Sequence, residues 1–535
     1  MDLYSAGHRR GVVAAPHQAA VEAGRATLAE GGNAIEAMVA MAATIAVVYP
    51  HMNHLGGDGF WLLREPSGKI RALMAAGVAG SLARPELYRD AGHDQIPPRG
   101  PLAALTVPGA IAGWSLALEA AKAQGGQLPL GFLLEHAIRH AGEGMEVSRS
   151  LAACAAAADG ELRGELRPVP GFAQTFLIDG KPPPQGALLK QAALAATLER
   201  LAHAGLDDFY RGDVGREIAA DLAQVGSPVT RVDLERCRAT VAEPLSLKLD
   251  AGTAFNTPPP TQGLASLILL ALFERLGVKE AEGFDHVHGL IEATKRALAL
   301  RDRYVADPSR LPHPPDRYLG DSFLAAEASK IDRRKASAWR ARSGEGDTIW
   351  MGAIDGSGLV VSYIQSLYWE FGSGVVLPRT GVLMQNRGVG FSLAPGALNL
   401  LEPGRLPPHT LNPALAVLRD GRVLAYGTMG GDAQPQIQAS FFTRHALFQQ
   451  PLDEALDRPR SLIGRIWGAP HSHVLLEPRF DGDLIDQLRT AGHDVMVLSE
   501  PYADATGHAG AVVLHPDGSI EGGHDPRSDG GAAGI

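Results

Sequence analysis

Thr348 stands where a polar, glycine-spaced stretch, "GEGD" (344–347), meets an apolar run, "TIWMGAIDGSGLVVSY". A threonine at such a junction has two readings. It is an ordinary first residue of a strand, or it becomes a new N-terminus when the Asp347–Thr348 bond is cut. In the second case one residue carries a hydroxyl and a free α-amine. An α-amine titrates near 8, close enough to neutrality to act as general base for its own hydroxyl. Nucleophile and base then share a residue, and no separate histidine is required. Such chemistry needs donors for a developing oxyanion. "YGTMGGDAQPQ" places Gly430 and Gly431 directly after an apolar run, where two consecutive glycines can turn backbone N–H groups into a site unobstructed by side chains. By itself this glycine pair equally suits a tight strand-to-helix turn.

Several stretches, in order along nearly the whole chain, resemble the γ-glutamyltranspeptidase family of N-terminal-nucleophile hydrolases. They are "EGGNAIEAMVAMAATIAVVYP", "LGGDGFW", "LDDFYRGDVGREIA", "NTPPPTQG", "GDTIWMGAIDGSGLVVSY", "GTMGGDAQPQ" and "HDPRSDGGAAG". The resemblance implies an α+β fold, a four-layer αββα sandwich. It implies autocatalytic cleavage into a large segment, 1–347, and a small one, 348–535, that remain one interlocked fold as a heterodimer, alone or as a pair of heterodimers. Thr348 falls on the family nucleophile, and Gly430 and Gly431 fall on its oxyanion hole. No metal and no other cofactor is implied.

Departures from the family pattern bear on the substrate. The arginine that holds a γ-glutamyl α-carboxylate is replaced by Ala76 in "AAGVAGS". The acidic pair that holds its amino group is replaced by Val389 and Gly390 in "NRGVGFS". Without either charge partner, burial of an ammonium and a carboxylate would go uncompensated. The family's serine pair aligns with His409 and Thr410. The threonine that supports the nucleophile hydroxyl aligns with Ile364, so the resemblance passes that role to Ser362 or Ser366. "MQNRG" introduces Arg387 beside the expected substrate position, and an arginine can grip a carboxylate through two parallel hydrogen bonds. Together these changes resemble the oxamate-amidohydrolase branch, which hydrolyses oxamate to oxalate and ammonia in purine-ring nitrogen catabolism. The glutaryl-cephalosporin acylases share parts of the pattern. The competing readings are γ-glutamyl hydrolysis or transfer, glutaryl-type acylase activity, and, from another class, a non-catalytic relative that keeps the fold for binding.

These residues must be held by a large scaffold. At 535 residues the chain exceeds the roughly 250–300 residues served by one core. Its 45% hydrophobic and 20% charged residues describe a globular protein. The net charge of −10, with no long basic stripe, argues against a nucleic-acid partner. The two cysteines, Cys154 and Cys237, are too few for a disulfide framework and suit a reducing compartment. The N-terminal stretch lacks a signal-peptide pattern, and the apolar run from Ala37 to Val48 is too short to span a bilayer. A cytoplasmic protein without a membrane partner is expected.

Helical periodicity dominates the first half, beginning with two alanine-rich helices around the "EGGN" break, Glu30–Asn33, and continuing to "FDHVHGLIEATKRALALRDRYVADP". The basic and then glycine-rich run 330–347 reads as an exposed connection. After it, strand-like runs alternate with Gly/Pro/Asp turns: "TIWMGAI", "LVVSYIQ", "PALAVLR", "RVLAYGTM", "HVLLEPR" and "GAVVLHP". Strand pairs at both ends of the chain predict two sheets built from both segments, with helices outside. His136 and His140 are four apart on a helix, a metal-ligand spacing, but without the intervening glutamate of a metalloprotease they read as surface residues.

Overall fold

The structure is a computed structural model that describes residues 2–157, 165–339, 347–465 and 470–535. Part of the expected 330–347 connection, residues 340–346, lies outside the described residues.

Two seven-stranded antiparallel sheets form the centre of the molecule. The first runs, in spatial order, Gly531–Gly534, Gly11–Ala15, Asp347–Asp355, Val360–Tyr368, Asp58–Arg64, Ile70–Ala75 and Thr240–Ala242. The second runs Tyr4–His8, Ile520–His524, Ala509–Leu514, Val423–Thr428, Ala414–Leu418, Gly252–Asn256 and Leu245–Leu249. Each sheet takes strands from both sides of Thr348, so the two segments are interleaved rather than separate domains.

The layering follows from the alternation of side chains along each strand. In the strand beginning at Asp347, Trp350 and Ile354 face the second sheet and join a core with Val12, Leu62, Leu415 and Val512. Ile349, Met351 and Ala353 face the other way, toward a helical layer. Both faces are buried, which is why the run reads as almost continuously apolar. The outer layer on the first sheet includes the helices Gln18–Ala29, Ala34–Val48, Ala110–Ala123 and Leu130–Glu143. Gly263–Arg275, Phe284–Tyr304 and Gln434–Phe442 cover the second sheet. The order is helix, sheet, sheet, helix, the expected αββα sandwich.

The "EGGN" break behaves as its residues dictate. Asn33 caps the Ala34–Val48 helix, its Oδ1 accepting from the Ile35 and Glu36 N–H groups while the Glu36 carboxylate accepts from the Asn33 N–H. This reciprocal cap satisfies donors that a helix start otherwise leaves unpaired. All fifteen residues of that helix are buried, and small side chains let it lie close to its neighbours. The run "HVLLEPR" forms a strand, Pro470–Leu476, but in a separate three-stranded sheet with Ser461–Arg465 and Val495–Val497 rather than in the sandwich. No disulfide links Cys154 and Cys237.

Candidate active site

Three adjacent strands of the first sheet present a row of polar side chains on the face turned toward the second sheet: Asp58, Ser366 and Thr348. Asp58 pairs with Ser366 in the ladder. Between the Ser366 and Thr348 strands the register slips by one residue, Asp347 pairing with Tyr368 but Ile349 with Gln365. Ser366 and Leu367 therefore both lie opposite Thr348. Such a bulge breaks regular pairing and re-aims side chains. Here it lies against the peptide bond that the sequence singles out. Tyr368, just past it, holds φ at +87°, a conformation costly for a non-glycine residue.

Thr348 is buried, and its Oγ1 donates to Ser366 Oγ at 3.3 Å. Ser366 Oγ also accepts the Tyr368 N–H at 2.7 Å. From the second sheet's side, Gln434 Nε2 donates to Thr348 Oγ1 at 3.4 Å. Gln434 opens the helix Gln434–Phe442, immediately after the Gly430–Gly431 turn. Both glycines hold positive φ, +109° and +51°, so the strand ending at Thr428 reverses sharply and enters the helix beside the threonine. Ser362, the other expected support, accepts from Trp350 Nε1 at 2.9 Å and serves the inter-sheet core instead.

Arg387 is buried and lies flat on Tyr368, its guanidinium carbon 3.2 Å from the ring centroid. One Nη donates to Thr410 Oγ1 at 3.1 Å, while its buried Nε has no hydrogen-bond partner. Among the described residues no carboxylate forms an ion pair with it. Burial lowers its pKa from the ordinary arginine value. The segment carrying it is fastened to the end of the strand next to that of Thr348, with Asn386 N–H donating to the Leu367 carbonyl and Asn386 Oδ1 accepting from Trp369 N–H. Gly390 leaves room for this side chain, since a Cβ there would stand 3.0 Å from Arg387 Nη2.

His409 and Thr410 are in the same neighbourhood but have different partners. His409 Nε2 meets Asp58 Oδ2 at 3.0 Å, and burial, opposed by that carboxylate, lowers its pKa to about 4. It is a neutral imidazole donating to a carboxylate. Asp58 Oδ1 also accepts from Gly77 N–H, Gly109 N–H and Gln385 Nε2. Asp58, from "LGGDGFW", is thus the hub that ties four segments together at the row's end.

Gln262 binds the site from behind. Its Nε2 donates to the carbonyls of Thr410 and Gly431, at 2.6 and 2.7 Å, and its Oε1 accepts from Arg301. Arg301 in turn pairs with Asp432, next to the glycine turn. Burial opposes its charge, yet Asp432 and Asp302 raise its pKa above the ordinary arginine range. Sequence reasoning passed over Asp58, Tyr368, Gln434, Gln262 and the Arg301–Asp432 pair. Each is far in sequence from the residue it serves, apart from Tyr368, whose positive φ has no sequence signature.

Where the departures place Ala76, the structure has an apolar cluster of Phe60, Ile364 and Leu411, with Ala76 and Met74 packed on it. His409 meets Phe60 edge-on at 4.7 Å. Each of the five residues of that cluster is apolar, so none of them would receive a carboxylate.

The arrangement has the parts of an acyl-transfer site: a buried hydroxyl with an acceptor and a donor, a glycine turn beside it, and a buried arginine that makes no ion pair among the described residues. A family model described as gamma-glutamyltranspeptidase matches residues 20–535. The chain is 51% identical over 526 residues to the oxamate amidohydrolase proenzyme of Klebsiella pneumoniae, covering 98% of each. It is 36% identical to the glutathione hydrolase-like proenzyme YwrD of Bacillus subtilis, again covering 98% of each. Among solved structures, a cephalosporin acylase from Bacillus halodurans superimposes with a TM-score of 0.89 at 32% identity, over 99% of this chain and 97% of that one. From the row of Asp58, Ser366 and Thr348 to the glycine turn, and across nearly all of its length, this chain belongs to the γ-glutamyltranspeptidase family.

Proposed function

We propose that the protein is a self-processing threonine amidohydrolase that converts oxamate to oxalate and ammonia. The observation that carries the substrate assignment is Arg387, a buried guanidinium that has a hydroxyl and an aromatic face for company but no carboxylate paired with it among the described residues. A small carboxylated amide supplies the missing anion. The similarity to the Klebsiella oxamate amidohydrolase proenzyme supports the same reading. The apolar surroundings of Ala76 argue against a γ-glutamyl α-carboxylate there.

In maturation the Thr348 hydroxyl attacks the Asp347 carbonyl, the acyl group passes from nitrogen to oxygen, and water hydrolyses the ester. This releases the 1–347 carboxylate and the Thr348 amine. In turnover the same oxygen attacks the oxamate amide carbon. The α-amine takes the hydroxyl proton and passes it to the departing nitrogen, which leaves as ammonia. The Gly430 and Gly431 N–H groups receive the oxyanion, Arg387 and Thr410 hold the remaining carboxylate, and Ser366 orients the nucleophile. Water then frees oxalate from the oxalyl ester.

Denaturing gels of purified protein should show the 1–347 and 348–535 fragments, while Thr348→Ala stays full length. Cleaved protein should release ammonia from oxamate and leave a γ-glutamyl anilide untouched. A wild type that never cleaves would overturn the mechanism. Turnover of the anilide without oxamate turnover would overturn the substrate.

A further inference from the structure

Far from Thr348, the helix Phe284–Tyr304 carries His288 and Glu292 one turn apart, on one face. His493, in the loop after the helix Gly482–Thr490, meets them. All three are buried, and one ligand atom from each lies within 4.8 Å of the other two. His288 Nε2 lies 2.8 Å from the Asp332 carbonyl oxygen, so that nitrogen carries a proton, and in the neutral ring Nδ1 is left as a lone pair. This Nδ1 stands 2.8 Å from His493 Nε2. The shared proton therefore belongs to His493, whose buried Nδ1 has no partner. Glu292 is held by Ser337, whose N–H and Oγ donate to Oε2, and by Lys295 on Oε1.

We propose that His288 Nδ1, His493 Nε2 and a Glu292 carboxylate oxygen form a binding site for a borderline divalent metal ion such as Zn²⁺. Two imidazoles and a carboxylate suit that ion, and a ligating histidine commonly donates its other ring N–H to a backbone carbonyl, as His288 does to Asp332. On binding, the His493 proton moves from Nε2 to the unpartnered Nδ1, so a neutral ring meets the metal and no proton is lost. The two nitrogens separate by roughly half an ångström to reach tetrahedral spacing. Lys295 turns from Glu292 but keeps the Ser337 carbonyl, which it already reaches at 2.8 Å. Its ammonium opposes the metal's charge and sets the affinity low. The site joins 1–347 to 348–535, since His288 and Glu292 precede Thr348 and His493 follows it. The metal would staple the two fragments and hold the Asp332–Ser337 segment that leads toward the scissile bond.

The test uses chelator-treated, full-length-derived enzyme and Zn²⁺ alone, followed by competition with a chromophoric chelator and by thermal unfolding. The expected result is one zinc per fragment pair and a Tm that rises with zinc. Binding should weaken at least about tenfold in His493→Gln and tighten about tenfold or more in Lys295→Gln. The uncleaved Thr348→Ala protein should bind zinc as the wild type does, which separates this site from the catalytic reading. Stoichiometric binding that is equal in His493→Gln, or no retained zinc in either wild type or Lys295→Gln, would overturn the proposal.

Discussion

Arg387 combines features that do not substitute for one another: a fixed charge, a planar fork and a flat face on Tyr368. Lysine at this position keeps the charge but loses the stacking and the paired donors. Charge-assisted hydrogen bonds of this kind contribute about 1.5–3 kcal/mol each. Arg387→Lys should therefore raise KM for oxamate by roughly 10–100-fold, and Arg387→Met by more, with cleavage at Thr348 intact. Steady-state kinetics on processed protein check this, and an unchanged KM in Arg387→Met would remove Arg387 from the substrate site. His409 is held neutral down to about pH 4, so it does not supply an ionisation near neutrality. The acid limb of the kcat/KM profile should instead follow the Thr348 amine, near the ordinary α-amine value of about 8. A His409→Gln variant should lose rate but keep that apparent pKa. The residues singled out from sequence were Thr348, Arg387 and the paired glycines, by their place in the family pattern rather than by type alone. Asp58 and Gln434 were not, because a carboxylate or an amide gains its role only from strands and turns distant in the chain.

At the scale of elements, the strand beginning at Asp347 must be anchored if its first residues are to hold a reacting geometry. Trp350 provides the anchor. Its indole lies over two glycine positions of the facing sheet, where a Cβ at Gly427 would stand 2.1 Å from the ring and one at Gly510 2.5 Å away. Its Nε1 donates to Ser362 across the neighbouring strand. Gly427→Ala should displace the indole and with it Thr348, two residues away on the same face. Overpacking of this sort costs about 1–3 kcal/mol. The expected outcome is slower appearance of the 1–347 and 348–535 fragments on gels and a lower unfolding midpoint. Normal processing would show that the strand is held from elsewhere. Apolar runs bounded by Gly and Pro made the strands legible, as the Asp347–Asp355 and Val423–Thr428 segments show. Sheet membership was not legible for "HVLLEPR", since an apolar strand reads alike whichever sheet buries it. Nor was the bulge opposite Thr348, because a one-residue slip leaves the pattern of "LVVSYIQS" unchanged.

For the molecule as a whole, the interior, sheets and helical layers together, encloses a set of neutral histidines. His51, His54, His286, His409 and His524 are each 3% exposed or less. Burial lowers their pKa values to about 3 for His51, His54, His286 and His524, and to about 4 for His409. In the unfolded chain the same rings titrate near 6.5. Above about pH 6.5 neither state is protonated and the difference costs nothing. As pH falls from about 6.5 toward 4, the unfolded chain takes up protons that the folded one refuses, so stability is lost on acidification. Each ring that stays neutral contributes a slope of about 1.4 kcal/mol per pH unit, and several acting together make the loss steep. Urea unfolding of the uncleaved Thr348→Ala protein, a single chain free of reassociation effects, should show the midpoint falling sharply between pH 6.5 and 5. His286→Gln removes one such ring while its amide can still reach Thr443 Oγ1, which His286 Nε2 meets at 2.9 Å. That variant should flatten the slope by about 1.4 kcal/mol per pH unit, whatever it does to stability at pH 7. A slope unchanged by the substitution, or a midpoint indifferent to pH across this window, would mean that these histidines are protonated within the fold, their charge held by acidic neighbours such as the Asp58 carboxylate beside His409.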